Sequence, residues 1–177
     1  DFVRHLKIHS GNEKFNLEIL LSCPHLRSLS LDNCLCTDQN LDKFELPEWN
    51  LDVLELNFVF QMPNLVLNLL KKSSIKKIKI VYGNVDCGAF KQFLCDHHEL
   101  EELEMEEKFT IKEIFNDDTL SHVKFRLKSM KIFTINSKNF CKFLACHKES
   151  LEKFGMEKID DETAKLLNKF TKLSSLE

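Results

Sequence analysis

The residue types that bind transition metals occur together at one place in the sequence, Cys95-Asp96-His97-His98. Thiolate, carboxylate and imidazole groups all bind zinc, but a protein zinc site needs several such ligands converging on one point. Adjacent histidines at the end of a helix point apart, and the sequence supplies no further ligands from a neighbouring turn. We therefore predict a structural role for this cluster and no bound metal.

Side chains that could serve catalysis are present, but their spacing matches no catalytic pattern. The four glycines form neither a phosphate-binding loop nor a dinucleotide fingerprint. Cysteine and histidine lie close together only where predicted helices end, and packing explains them there. We expect the chain to be neither an enzyme nor a cofactor-binding protein.

A basic run could indicate nucleic-acid binding: Lys71, Lys72, Lys76, Lys77 and Lys79. No arginine, tyrosine or tryptophan is interleaved with it to stack on bases, and an acidic segment, 101–106, follows the next predicted helix. The formal net charge is −3, which gives no general attraction to polyanions or anionic lipid. No apolar run approaches the ~18 residues of a membrane span. We predict neither a nucleic-acid nor a membrane partner.

The seven cysteines indicate the compartment. Their number is odd, and their spacing fits no disulfide framework or zinc motif. No asparagine lies in an N-x-Ser/Thr acceptor. We expect reduced, buried thiols and an intracellular protein, cytoplasmic or nuclear.

One pattern recurs along the whole chain: an apolar residue followed by apolar residues three and five positions later. Complete copies start at Val3, Leu26, Leu51, Ile75, Leu100, Leu127 and Leu151, and a shortened one starts at Leu173. The intervals between starts are 22 to 27 residues. Such regular spacing predicts a single array of seven to eight structural repeats over residues 1–177.

Each repeat contains the signals of one strand and one helix. Apolar and polar residues alternate in Leu54-Glu55-Leu56 and Ile78-Lys79-Ile80, as in a half-buried strand. Helical spacing follows in the segments around Phe90 and Phe140, after Pro63 and after Asp160, whereas 38–49 is expected to be irregular because of Pro47. The sequence therefore predicts an α/β solenoid.

The strand segment LRSLSLDNC, residues 26–34, resembles the leucine-rich repeat. The segment LLSCPHLRSL, residues 20–29, resembles the cysteine-containing subclass found in F-box/leucine-rich-repeat proteins. This resemblance implies a right-handed horseshoe with a parallel β-sheet on the concave face and helices on the convex face. It also implies a protein-interaction module, the substrate-recognition part of a cullin-based ubiquitin ligase, joined to the ligase adaptor by an F-box upstream of Asp1.

The third and fifth residues of each predicted strand point away from the core. They form acidic and basic strips that neighbouring strands bring close enough to pair. These strips either bind a protein partner or only neutralise each other. The residues proposed for partner contact, with Val81 and Phe133 as apolar anchors, are Lys77, Lys79, Val81, Glu102, Glu104, Ser129, Lys131, Phe133 and Lys153.

Two other functions fit the same repeat. The first is a scaffold or inhibitor without ligase attachment, and the weaker second is a receptor ectodomain. The array starts and ends in strand-like repeats without a polar cap, so we expect a fragment of a longer chain. In isolation it would then associate through its ends, and a monodisperse monomer in light scattering at high concentration would contradict this.

Overall fold

A computed structural model describes residues 3–11, 18–34, 47–57, 67, 70–81, 86–106, 113–133 and 137–177. Within these ranges the chain forms one eight-stranded sheet in which neighbouring strands are parallel and follow each other in chain order. The strands are β1 His5–His9, β2 Ser28–Asp32, β3 Asn50–Asn57, β4 Ser74–Val81, β5 Glu102–Met105, β6 Ser129–Ile132, β7 Lys153–Met156 and β8 Ser175–Leu176.

Each copy of the sequence pattern coincides with one strand, and the strands align copy by copy. Leu29 lies opposite Leu54, and Leu54 lies opposite Ile78. The corresponding residues of successive copies thus form one buried row across the sheet: Leu29, Leu54, Ile78, Leu103, Met130 and Phe154. The predicted α/β class with a parallel sheet is confirmed.

Among the described residues, four α-helices lie between the strands. They are α1 Glu18–Leu21, α2 Cys87–Asp96, α3 Lys138–Ala145 and α4 Asp161–Leu167. The helices predicted around Phe90, Phe140 and after Asp160 are confirmed. The Asp86 and Asp160 carboxylates cap α2 and α4, because each accepts a hydrogen bond from the backbone N–H three residues later.

Aromatic side chains fill the space between the sheet and these helices in the second half of the chain. The Phe115 ring lies 5.2 Å from that of Phe140 and 5.1 Å from that of Phe143, and Phe125 packs edge-on against Phe143. All four rings are buried. The many phenylalanines therefore serve packing, at ring separations that favour aromatic contacts.

Two other predictions concern segments that the structure describes only in part. The helix expected after Pro63 and most of the expected irregular segment 38–49 lie outside the described residues, apart from 47–49, 67 and 70.

Between β5 and β6 the described chain forms a short 3-10 helix, Thr119–His122. Lys91 of α2 donates hydrogen bonds to Asn116 and Asp117, in the turn before this 3-10 helix. The hydrogen bond to Asp117 holds the pKa of that carboxylate well below its usual range.

The predicted burial of all the thiols is wrong for four of the six described cysteines; Cys36 lies outside the described residues. These four cysteines lie in α2 or α3 or directly after α3, where the phenylalanines take the buried positions. Burial raises their pKa, and a hydrogen bond to Glu113 helps to raise that of Cys87 to about 12. Cys23 and Cys34 are buried, whereas Cys87, Cys95, Cys141 and Cys146 are half-exposed.

Candidate functional site

One face of the sheet carries the strips of charge that the strand phase predicts. Leu54, Ile78 and Leu103 are buried in the core, each on a different strand. The residues directly before and after each of them on its own strand point to the opposite face. The aligned side chains on this face from β3 to β7 are termed here the charged face: Val53, Glu55, Lys77, Lys79, Glu102, Glu104, Ser129, Lys131 and Lys153.

Acid and base pair laterally across neighbouring strands of the charged face. Lys77 Nζ lies 3.0 Å from Glu102 Oε2, and Lys79 Nζ lies 3.4 Å from Glu104 Oε1. The same Glu104 oxygen lies 3.8 Å from Lys131 Nζ, so this carboxylate bridges β4 and β6. The predicted lateral pairing is confirmed, and it follows from the parallel register that sets Lys79 and Lys131 on either side of Glu104.

A second row of ion pairs lies where the strands begin, and the sequence analysis did not identify it. Lys76 Nζ lies 3.2 Å from Asp52 Oδ1, and Lys128 Nζ lies 2.8 Å from Glu101 Oε1. The hydrogen bond to Glu101 raises the pKa of Lys128. The signal was present in the sequence, because the second position of the copies alternates in charge over Asp52, Lys76, Glu101, Lys128 and Glu152.

The remaining predicted contact residues flank these ion pairs. Ser129 is half-exposed and lies in register between Glu102 and Lys153, which is exposed. Val81 and Phe133 are half-buried at the carboxyl ends of β4 and β6. The structure therefore brings the seven predicted polar residues to one face, with Val81 at the end of β4, whereas Phe133 packs against the hydrophobic core.

The charged face is suited to binding by complementarity of charge and shape. The half-exposed Lys77–Glu102 pair is of the kind that contributes only about 0–1 kcal/mol to stability, so a partner can replace it at small cost. Because Lys77, Lys79 and Lys131 are already paired with carboxylates, a partner has to present both signs of charge. A simple polyanion gains little from such a surface.

The Cys95–His98 cluster is divided between core and surface, as predicted for adjacent histidines. The buried His97 ring has Nδ1 2.6 Å from the Phe93 carbonyl oxygen and Nε2 3.3 Å from that of Leu70, whereas His98 is exposed. In the described part of the chain, no group of three or more His, Cys, Asp or Glu side chains could hold a metal ion.

Comparisons with family models, curated proteins and solved structures gave no match. Within the described ranges, no helix combines the length and apolar character needed to cross a bilayer. The features that bear on function are therefore the charged face and the repeat that builds it.

Proposed function

We propose that the chain is a leucine-rich-repeat solenoid that binds a protein partner on its concave face, formed by the charged face. Eight copies of the sequence pattern and eight parallel strands in chain order support this proposal. The observation that carries it is the cross-strand pairing of the charged face, in which Glu104 is shared by Lys79 and Lys131. A core-forming sheet does not require such a surface, whereas a binding face can use it.

The more specific proposal is a substrate receptor of an F-box-type ubiquitin ligase. The cysteine-containing subclass has a cysteine in the turn after the strand, and the buried Cys34 thiol lies 3.4 Å from the Asp32 carbonyl oxygen and 3.6 Å from that of Ile8. The hydrogen bond to Ile8 connects the turn after β2 to β1. All six cysteines in the described part of the chain are free, which supports an intracellular location, in the cytoplasm or nucleus. In this role the chain positions a substrate, and other subunits supply the chemistry.

The test is affinity purification of the natural full-length protein from its own cells, followed by mass spectrometry. We expect the cullin-ligase adaptor together with candidate substrates. Recovery of partners without the adaptor would refute the ligase role and leave a scaffold or inhibitor. Recovery of no protein partner at all would refute the interaction role.

Charge reversal then tests whether the charged face makes the contact. The double variant Glu102→Lys/Glu104→Lys places like charges opposite Lys77 and Lys79, and recovery of the partner should fall by about tenfold or more. The matched control, Glu162→Lys, changes an exposed carboxylate on α4 and should leave recovery unchanged. Undiminished binding with lower thermal stability would show that the ion pairs serve only the fold.

A further inference from the structure

A polar hollow of about 450 Å³ lies at the edge of the sheet where β1, β2 and β3 begin. The side chains that border it include those of Arg4, His25, Arg27, Glu48 and Asn50, which are all exposed. They lie at or just before the beginnings of three successive strands, and β3 is also the first strand of the charged face. The hollow therefore adjoins the surface proposed to bind a partner.

The backbone of the sheet places Arg4 and Arg27 side by side. The Arg4 carbonyl oxygen accepts hydrogen bonds from the N–H groups of Arg27, at 2.7 Å, and Ser28, at 3.0 Å. These bonds extend the parallel register of β1 and β2 by one residue. Because neighbouring strands lie about 4.8 Å apart, both guanidinium groups can reach one ligand in the hollow.

Neither arginine has a carboxylate partner among the described residues. Asp52, the next residue in their row, pairs instead with Lys76, whose Nζ lies 3.2 Å from Asp52 Oδ1. In the described part of the chain, no ion pair includes Arg4 or Arg27. Arg27 Nη1 donates to the Asn50 carbonyl oxygen at 3.3 Å, which holds the side chain at the hollow without neutralising its charge.

Two adjacent arginines are unfavourable for the fold alone. Like charges opposite each other on neighbouring strands destabilise a sheet, and the row avoids them by alternating in sign from Asp52 to Glu152. Among the described residues that line the hollow, Glu48 carries the only carboxylate, so positive charge is in excess. The third arginine of the chain, Arg126, instead donates to two backbone carbonyl oxygens. The concentration of the other two at one hollow indicates a site for an anion.

We propose that this hollow binds the phosphate group of a phosphorylated serine or threonine of the protein partner. A guanidinium group donates two parallel hydrogen bonds to phosphate oxygens, and a phosphate has enough oxygens and charge for both arginines. A carboxylate has only two oxygens and one charge, so it would engage one arginine and leave the other unpaired. This inference rests on the proposed function and adds the chemistry of the contacting residue.

The surroundings of the hollow favour a single phosphate over a nucleic acid. A polyanion that followed the row of arginines would meet the carboxylate of Asp52 on the next strand. In the described lining, no aromatic ring is available to stack on a base or on a phosphotyrosine. One phosphate on an otherwise uncharged or mixed-charge segment fits this arrangement.

The first test titrates small probes into the natural full-length protein, in which any chain outside residues 1–177 is present. Its arginines are isotope-labelled, and the NMR signals of Arg4 and Arg27 are assigned by their absence in the variants Arg4→Gln and Arg27→Gln. N-acetyl-O-phosphoserine methylamide should shift both guanidinium signals in a saturable manner, and the glutamate analogue should bind more weakly by about tenfold or more. No saturable shift with the phosphoserine probe, or equal affinities for the two probes, would overturn the proposal.

Inorganic phosphate distinguishes a free anion from a phosphorylated side chain. It should compete with the phosphoserine probe but bind more weakly, because it lacks the peptide groups that contact the walls of the hollow. Tighter binding of inorganic phosphate than of the probe would assign the hollow to a free ion and overturn the proposal.

Three variants test the charges of the hollow. Arg4→Gln and Arg27→Gln should each weaken binding of the phosphoserine probe by about tenfold or more, because each removes charged hydrogen-bond donors. Glu48→Gln removes the opposing carboxylate and should strengthen binding several-fold. Lys124→Gln, which removes an exposed positive charge outside the hollow, is the matched control and should have no effect. Binding that neither arginine variant weakens would overturn the proposal.

Capture of the partner by the full-length protein separates this inference from the proposed function. If Glu102→Lys/Glu104→Lys releases the partner, but Arg4→Gln/Arg27→Gln and phosphatase treatment of the partner do not, the charged face binds protein and the phosphate proposal is wrong. If the phosphoserine probe binds but no protein is captured, the hollow is a phosphate site and the proposed function is wrong. Loss of the partner in all three cases supports both proposals.

Discussion

At the scale of single residues, His147 has the most unusual environment. The residue is fully buried between Phe125, at a ring-centroid distance of 5.6 Å, and Phe143, at 4.8 Å. Its Nδ1 accepts a hydrogen bond from the Leu127 backbone N–H, and its Nε2 has no hydrogen-bond partner. Burial, helped by the charge of Arg126, lowers the pKa of His147 from 6.5 to about 3.

This environment predicts a loss of stability in mild acid. The unfolded chain binds a proton at His147 below about pH 6.5, whereas the native protein does not do so until about pH 3. Stability due to this group is therefore complete above pH 6.5 and is lost as the pH falls towards 3. The loss between pH 7 and pH 4 should be about 3 kcal/mol in the free energy of unfolding, measured by urea denaturation.

Two variants isolate this contribution from that of the carboxylates. His147→Leu removes the titrating group, so its stability should fall much less between pH 7 and pH 4. His98→Gln changes an exposed histidine and should follow the wild-type pH dependence. Parallel curves for wild type and His147→Leu would show that the native His147 does protonate in this range.

At the scale of elements, the short helices depend on their ends. Helix α4 has seven residues and begins at a cap in which Asp160 Oδ1 accepts from the Thr163 N–H at 2.8 Å. Asp161 and Glu162 add negative charge to its first turn, which the helix dipole favours. A helix this short is not stable alone, so its cap and its packing on the neighbouring repeat hold it.

Removal of this cap should have a measurable cost. We expect Asp160→Ala to lower the free energy of unfolding by about 1 kcal/mol, because the Thr163 N–H loses its acceptor. Asp160→Asn keeps an acceptor oxygen and should cost much less. Chemical denaturation of the three proteins at one pH measures the difference; equal losses for both variants would mean that charge rather than capping stabilises α4.

At the scale of the whole molecule, each strand of the described sheet pairs with the strands directly before and after it in the chain. The single tryptophan, Trp49, reports on the first half: its Nε1 donates to the Cys23 carbonyl oxygen at 2.9 Å, and the residue is buried. His147 lies in the second half. In such an array, cooperativity depends on how strongly each repeat is coupled to the next.

The aligned rows of core residues predict that the described repeats unfold together. Acidification should therefore shift the unfolding midpoint seen by Trp49 fluorescence as much as the midpoint seen by far-ultraviolet circular dichroism. His147→Leu should reduce both shifts equally. A Trp49 transition that stays fixed while the circular dichroism transition moves would show that the two halves unfold separately.

The strands and their alignment could be predicted from local sequence alone, because they depend on the periodicity of apolar residues. An apolar residue at every second position puts Leu54 and Ile78 on one face, and the near-constant interval brings equivalent residues into register. The pairing of Lys79 with Glu104 follows from that register. The cap at Asp160 was also readable, since a cap involves residues only three positions apart.

Features that depend on several repeats at once became visible only in the folded chain. Gly155 is buried because the Lys131 stem of the neighbouring strand and the Glu177 side chain lie where its own side chain would begin. Lys131 lies opposite Glu104 on the neighbouring strand, and its long side chain also reaches Glu106, two residues further on. The half-exposure of Cys95 and Cys146 likewise depends on how far neighbouring segments cover each helix, which is a matter of packing geometry that local sequence patterns do not encode.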